Sequence, residues 1–234
     1  MSDAPTGEAQ KTRILIWDFP ARVTHWGFSL SLSAALWLGF RTDPESDLFK
    51  FHMLAGIFAG WFLLLRIGLG FVGSRPLLWR QFFHRPTALV RYLKAALGWQ
   101  REAHTGLNPA SAAFALAIYL VLVALIWSGF VADLAETWHG RLAWGALGLI
   151  GVHLLGLTLH GLRHRALTPL AMVHGKTSGS PEDGLSSQRP LAGLALLLAG
   201  ALTGWLLWKG FDEASATLKL PLLPEVVFPL MLKG

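Results

Sequence analysis

Residues 136–161 read ETWHGRLAWGALGLIGVHLLGLTLHG, an apolar stretch that carries His139 and His153 fourteen residues apart. At 100° and about 1.5 Å per residue, this spacing returns almost to the same helical face roughly 21 Å along the axis. An ionisable side chain inside a bilayer is costly, and its default reading is functional. Two on one stripe point to a pair of cofactors held at different depths. The stretch is also long enough, at about 20 apolar residues, to cross a hydrocarbon core.

The rest of the 234-residue chain agrees with a membrane setting. It is 53% hydrophobic and 15% charged, whereas a soluble domain carries roughly 25% charged residues. Spans are expected at 23–40, 49–72, 110–132, 138–160 and 191–208. The expected fold is an all-α integral membrane protein: a four-helix transmembrane haem-binding bundle plus a fifth C-terminal transmembrane helix. Residues 1–16 read as a cytoplasmic polar tail, and MSDAPTGEAQKT lacks the apolar core of a cleavable signal. Residues 17–175 form the bundle, 176–190 a cytoplasmic linker, 191–209 the fifth helix and 210–234 a periplasmic tail. Within the bundle, residues 75–102 interleave arginines with Trp79, Phe82, Phe83 and Tyr92, the pattern of a segment lying on lipid headgroups.

Charge sets the orientation. Of 20 Lys and Arg residues, 14 fall on the side of the N-terminus, including those of both long loops. The other face holds 6, together with eight acids. The positive-inside rule then puts the N-terminus in the cytoplasm and the C-terminus in the periplasm, as a multi-pass protein of the bacterial inner membrane. The net charge of +6 therefore reflects topology, and no nucleic acid partner is expected. The absence of cysteine excludes disulfides, thiolate metal sites and thioether-linked haem.

Depth sorts the histidines. His52 lies about three residues inside the outer end of the second span, and His139 about two inside the outer end of the fourth. His25, near the inner end of the first span, matches His153 to within one or two ångströms at roughly 1.5 Å per residue. Each pair can offer two neutral imidazole nitrogens to one iron, which implies two b haems held by His25 with His153 and by His52 with His139. His160 shares the stripe of His153 but sits about 10 Å deeper and reads as interfacial. His84, His104, His164 and His174 read as solvated loop residues.

Arg66 is a candidate partner of haem propionates, with a snorkelling arginine as its alternative; Arg141 stands in the same position at the other face. Gly56, Gly140, Gly145, Gly148, Gly151 and Gly156 would admit a flat group or simply pack helices. Trp26, Trp61, Trp127 and Trp144 would line a pocket or sit at interfaces.

With these residues in place, the chain resembles the prokaryotic cytochrome b561 family, which includes the cytochrome b subunits of nickel–iron hydrogenases. The segment from Trp17 to Trp26 is similar to W-D-x-P-x-R-x-x-H-W. His52 to Gly56, Arg66 and Gly70 to Arg75 resemble the second span. Gly106-Leu107-Asn108-Pro109 is similar to G-H-N-P, and Ala171-Met172-Val173-His174-Gly175 to A-M-x-x-G. Leu107 and Gly140 stand where the family usually has histidine and glutamate. The resemblance implies the same four ligands, His25 and His153 for the inner haem and His52 and His139 for the outer.

It further implies electron transfer between a membrane quinone and a periplasmic c-type cytochrome or hydrogenase. The rival readings are a hydrogenase anchor subunit, a quinol oxidase and a haem-free transporter or scaffold.

Overall fold

The computed structural model describes residues 12–98, 108–131, 135–164, 170–212, 217–219 and 226–227. The first helix, α1 (Phe19–Arg41), starts where Asp18 accepts a hydrogen bond from the Ala21 amide (3.1 Å) and Pro20 presets the first turn. The segment Trp17–Pro20, expected to precede the span, thus supplies the helix cap and first turn. After a short turn α2 runs from Phe49 to Val72. Two single turns, Arg75–Leu77 and Trp79–Gln81, lead to the amphipathic α3 (Pro86–Leu97). Helix α4 (Pro109–Ser128) is capped by Asn108, which accepts from the Ser111 amide at 2.8 Å. A π-helical turn, Ala135–His139, opens into α5 (Gly140–His164). Next come α6 (Ala171–His174) and α7 (Pro190–Gly210).

Among the described residues, four helical stretches are long and apolar enough to cross a bilayer: Phe49–Val72, Pro109–Ser128, Thr137–Leu159 and Pro190–Gly210. Helix α1 matches them in length, with 23 residues, but Arg22, Thr24, His25 and three serines lower its hydropathy. Its polar positions are sheltered by packing: Thr24 is fully buried and donates to the Pro20 carbonyl at 2.9 Å. α1 packs along α2 and against α7, whereas α5 packs on α4.

The shared core lies midway along the bundle. Leu32 and Leu36 of α1 meet Ala59 and Leu63 of α2, Leu122 and Leu125 of α4, and Ala143 and Ala146 of α5. Small side chains on α5 there let the four helices close, with van der Waals packing as the main gain in lipid.

The polar ends are also ordered. Strand β1 (Thr12–Leu15) pairs antiparallel with β2 (Lys176–Gly179), joining two stretches far apart in sequence. Gly175 turns the chain into β2 in the left-handed region (φ 81°), and its carbonyl accepts from the amides of Ile16 (2.8 Å) and Trp17 (3.0 Å). A side chain there would meet the Trp17 carbonyl, so glycine is required. Beyond α7, β3 (Phe211–Asp212), β4 (Thr217–Leu218) and β5 (Val226–Val227) form a small antiparallel sheet. Leu218 and Leu207 pack with Met53, Leu54, Ile57 and Phe58, which ties this tail to α2.

Candidate functional site

Two close approaches fix the register of α1 and α2. A methyl group at Gly27 would collide with the Phe62 ring, and one at Gly39 would lie 2.8 Å from Cε1 and Nδ1 of His52. Residue numbers level across this antiparallel pair therefore total about 90. That sets His52 at the level of Gly39, and His25 beside residues 64–66. From Gly39 down to His25 is fourteen residues, the same interval as from His139 to His153. At 1.5 Å per residue both helices place their two histidine levels roughly 21 Å apart.

At one level, the rings of His52 and His139 face each other with centres 5.9 Å apart and planes at 87°. Their outer nitrogens are oriented by neighbours that sequence reading missed. His52 Nδ1 lies 2.8 Å from the Ala35 carbonyl oxygen. A carbonyl only accepts, so Nδ1 carries the proton and Nε2 keeps its lone pair. Ser128 Oγ donates its single proton to the Leu125 carbonyl (2.8 Å) and lies 3.0 Å from His139 Nδ1. It therefore accepts from Nδ1–H, and Nε2 of His139 is again the free lone pair. Ser128 is 1% exposed, so this orientation is sheltered from competing water.

This donor set fits a metal centre that His52 and His139 would hold between them. Two imidazole nitrogens each about 2 Å from a common metal set the ring centres roughly 6 Å apart, close to the observed 5.9 Å. Engaging the far nitrogen of each ligating imidazole is the usual means of fixing its tautomer and aim. Gly39 belongs to the same construction, because only a residue without a side chain lets His52 approach α1 this closely. Nothing in the local pattern of α1 marks Gly39, and nothing in that of α4 marks Ser128. The one available clue is that Ser128 lies at the end of α4, eleven residues before His139.

At the other level the α1–α2 register sets His25 beside Arg66, and the fourteen-residue interval on α5 brings His153 to a similar depth. The Phe114 ring stacks on His153, with centres 5.9 Å apart and planes at 10°, and Trp26 meets His25 edge-on at 5.5 Å. Trp26 also donates from Nε1 to the Met172 carbonyl (2.9 Å), so it ties α1 to α6 as well as walling His25. Arg66 turns toward the segment after α2. Its Nη1 donates to the Leu77 carbonyl (3.2 Å), and its guanidinium carbon lies 5.5 Å from the Phe82 ring centre and 5.6 Å from that of Tyr119. Arg141 is exposed and lies over Trp138.

Several remaining candidates serve structure. A methyl group at Gly145, Gly148, Gly151 or Gly156 would meet nothing within 4 Å, so these glycines do not pack a neighbouring helix among the described residues. The same holds for Gly56 and Gly140, which leaves room beside the His52 and His139 positions. Trp144 packs on Phe40, and Trp61 on Phe58 and Phe62. His84 is exposed, while His174 accepts at Nδ1 from the Lys176 amide (3.1 Å) and shapes the turn into β2. His104 and the side chains of His160 and His164 lie outside the described residues.

No curated protein and no solved structure matches the chain significantly. The family model described as prokaryotic cytochrome b561 matches residues 16–175. That region begins just before the Asp18 cap of α1, ends at the left-handed turn of Gly175 and contains His25, His52, His139 and His153. By this match, over more than half of its length and over the whole histidine-bearing bundle, the chain belongs to the prokaryotic cytochrome b561 family.

Proposed function

We propose that this membrane b-type cytochrome holds two haems, one between His25 and His153 and one between His52 and His139, and passes electrons across the bilayer. The support for the reading is the matched fourteen-residue interval on α1 and α5, together with the paired Nδ1 contacts of His52 and His139. Bound haem supplies one-electron ferric–ferrous chemistry. The chain's own residues do the rest. Ala35 and Ser128 aim the two imidazoles, Gly39 admits one of them, and the core of Leu32, Leu36, Leu63 and Leu122 excludes water between the levels. Arg66 stands at the His25 level, with its guanidinium on the Leu77 carbonyl and beside the Phe82 and Tyr119 rings.

Five helices span the membrane in this reading, with α1 as the first despite its polar residues and α7 as the last. The charge distribution supports a cytoplasmic N-terminus and a periplasmic C-terminus. Residues 176–190 and the N-terminal tail then lie on the cytoplasmic side, joined by the β1–β2 pair. Electrons travel between a membrane quinone and a periplasmic redox partner such as a c-type cytochrome. A dithionite-reduced minus oxidised visible spectrum, with haem quantified per polypeptide, tests this. Two low-spin b haems per chain are expected. One haem removes one histidine pair, and a folded, colourless preparation grown with haem available removes the reading.

A further inference from the structure

The strongest unexplained feature lies beside His25. Arg66 is a guanidinium in a spanning helix, partly buried, with no carboxylate partner among the described residues. Three aromatic rings form its surroundings. Phe82 and Tyr119 lie under the cation, and Trp79 packs on both, at 5.4 Å from Phe82 and 5.7 Å from Tyr119. Trp79 is itself anchored, donating from Nε1 to the Ile67 carbonyl at 3.1 Å and filling the space beside Gly70, where a methyl group would collide with it. Ring quadrupoles and one backbone carbonyl stabilise a cation without cancelling its charge. A guanidinium is not deprotonated in proteins. The cage therefore keeps a permanent positive charge in a low-dielectric region, where its field is weakly screened.

The two histidine levels differ in this respect. Near the His52–His139 level the cations Arg41 and Arg141 are exposed, over Trp37 and Trp138, with the acids Asp43, Glu45 and Asp47 also exposed at that end. Water and opposite charge screen them. Lys50, over Phe51, has a further interaction partner. Down α1 from His25, Arg22 is turned away, donating to the Val173 carbonyl and to Gln188 Oε1. Among the described residues, Arg66 is the permanent cation that the α1–α2 register sets beside His25 within the spanning helices.

We propose that Arg66, caged by Trp79, Phe82 and Tyr119, is the charge that raises the reduction potential of the His25–His153 level and so biases the electron toward that end of the protein. This rests on the two-haem reading above. Adding one electron at that level makes the site more negative by one unit, with no proton required, and a fixed cation nearby favours the reduced form.

The test is a spectroelectrochemical titration of the full-length purified protein, in wild type, Arg66→Gln and Arg66→Lys. The transition lost in His153→Ala identifies the level concerned. Arg66→Gln is expected to change the reduced-to-oxidised ratio of that level at least tenfold toward the oxidised form, about 59 mV for a one-electron couple. The other level should stay unchanged, and Arg66→Lys, which keeps the charge, should recover most of the shift. Unchanged potentials in Arg66→Gln with two haems retained overturn the proposal. Loss of one haem in Arg66→Gln but not in Arg66→Lys also overturns it, assigning Arg66 to holding the group. If Arg66→Gln does not fold, an Arg66→Lys potential displaced as far as one tenfold ratio overturns it, and a conserved one supports it. Fewer than two haems in the wild type would instead fail the underlying reading, before any variant is made.

Discussion

Replacing Gly39 by alanine isolates the least conspicuous part of the site. The added methyl would stand 2.8 Å from two atoms of the His52 ring, and ordinary contact begins at 3.4 Å. The ring must therefore retreat by about 0.6 Å. Such a displacement along the Nδ1 direction stretches the 2.8 Å bond to the Ala35 carbonyl to about 3.4 Å, beyond the usual N–H···O range. The loss of that bond costs about 0.5–1.5 kcal/mol. Disturbing the groups that orient a metal-bound imidazole typically weakens metal binding about 10–100-fold. The backbone effect runs the other way, since alanine gains about 0.5–1 kcal/mol over glycine within a helix.

Gly39→Ala should therefore keep its fold yet lose haem from the His52–His139 level, by about 10–100-fold in retention, and keep it at the His25–His153 level. Haem per polypeptide and the reduced-minus-oxidised spectrum read this directly, with the thermal melt of the apoprotein as the folding control. Gly68→Ala, where a methyl group would meet nothing within 4 Å, should leave both haems in place. A Gly39→Ala protein with two haems and an unchanged spectrum would refute the idea that this close approach positions His52.

Ser128→Ala leaves the His139 Nδ1–H without its buried acceptor and should weaken retention at the same level by about 10-fold or more, read by haem per polypeptide during size-exclusion chromatography. His153→Ala should remove one of two haems while His160→Ala keeps both; the reverse pattern in the same spectrum would transfer ligation to His160. Gly27→Ala drives a methyl into the Phe62 ring and should destabilise the α1–α2 pair by about 1–3 kcal/mol, seen as a lowered midpoint in thermal unfolding. Arg22 donates from Nη1 to the Val173 carbonyl (2.9 Å) and from Nη2 to Gln188 Oε1 (3.1 Å). Its replacement by alanine should release the 176–189 segment, with faster limited proteolysis there and both haems retained; unchanged cleavage would show that the β1–β2 pairing alone holds the segment.

The membrane class, the apolar helices, the fourteen-residue histidine interval and the family motifs are legible along the chain. Each of these is carried by composition or by spacing along one chain: apolar run length registers bilayer thickness, and a fourteen-residue interval registers a face and a depth. The contacts of Gly39, Ala35 and Ser128 with the imidazoles are not legible there, since they depend on the register between helices. The tertiary structure also folded two polar stretches, expected as a tail and a linker, into the β1–β2 pair, and built the aromatic cage of Arg66 from α2, α4 and the turn between. Helical periodicity and hydropathy are local properties, whereas a ring meeting a backbone carbonyl or a glycine on another helix is fixed by packing that no single segment encodes.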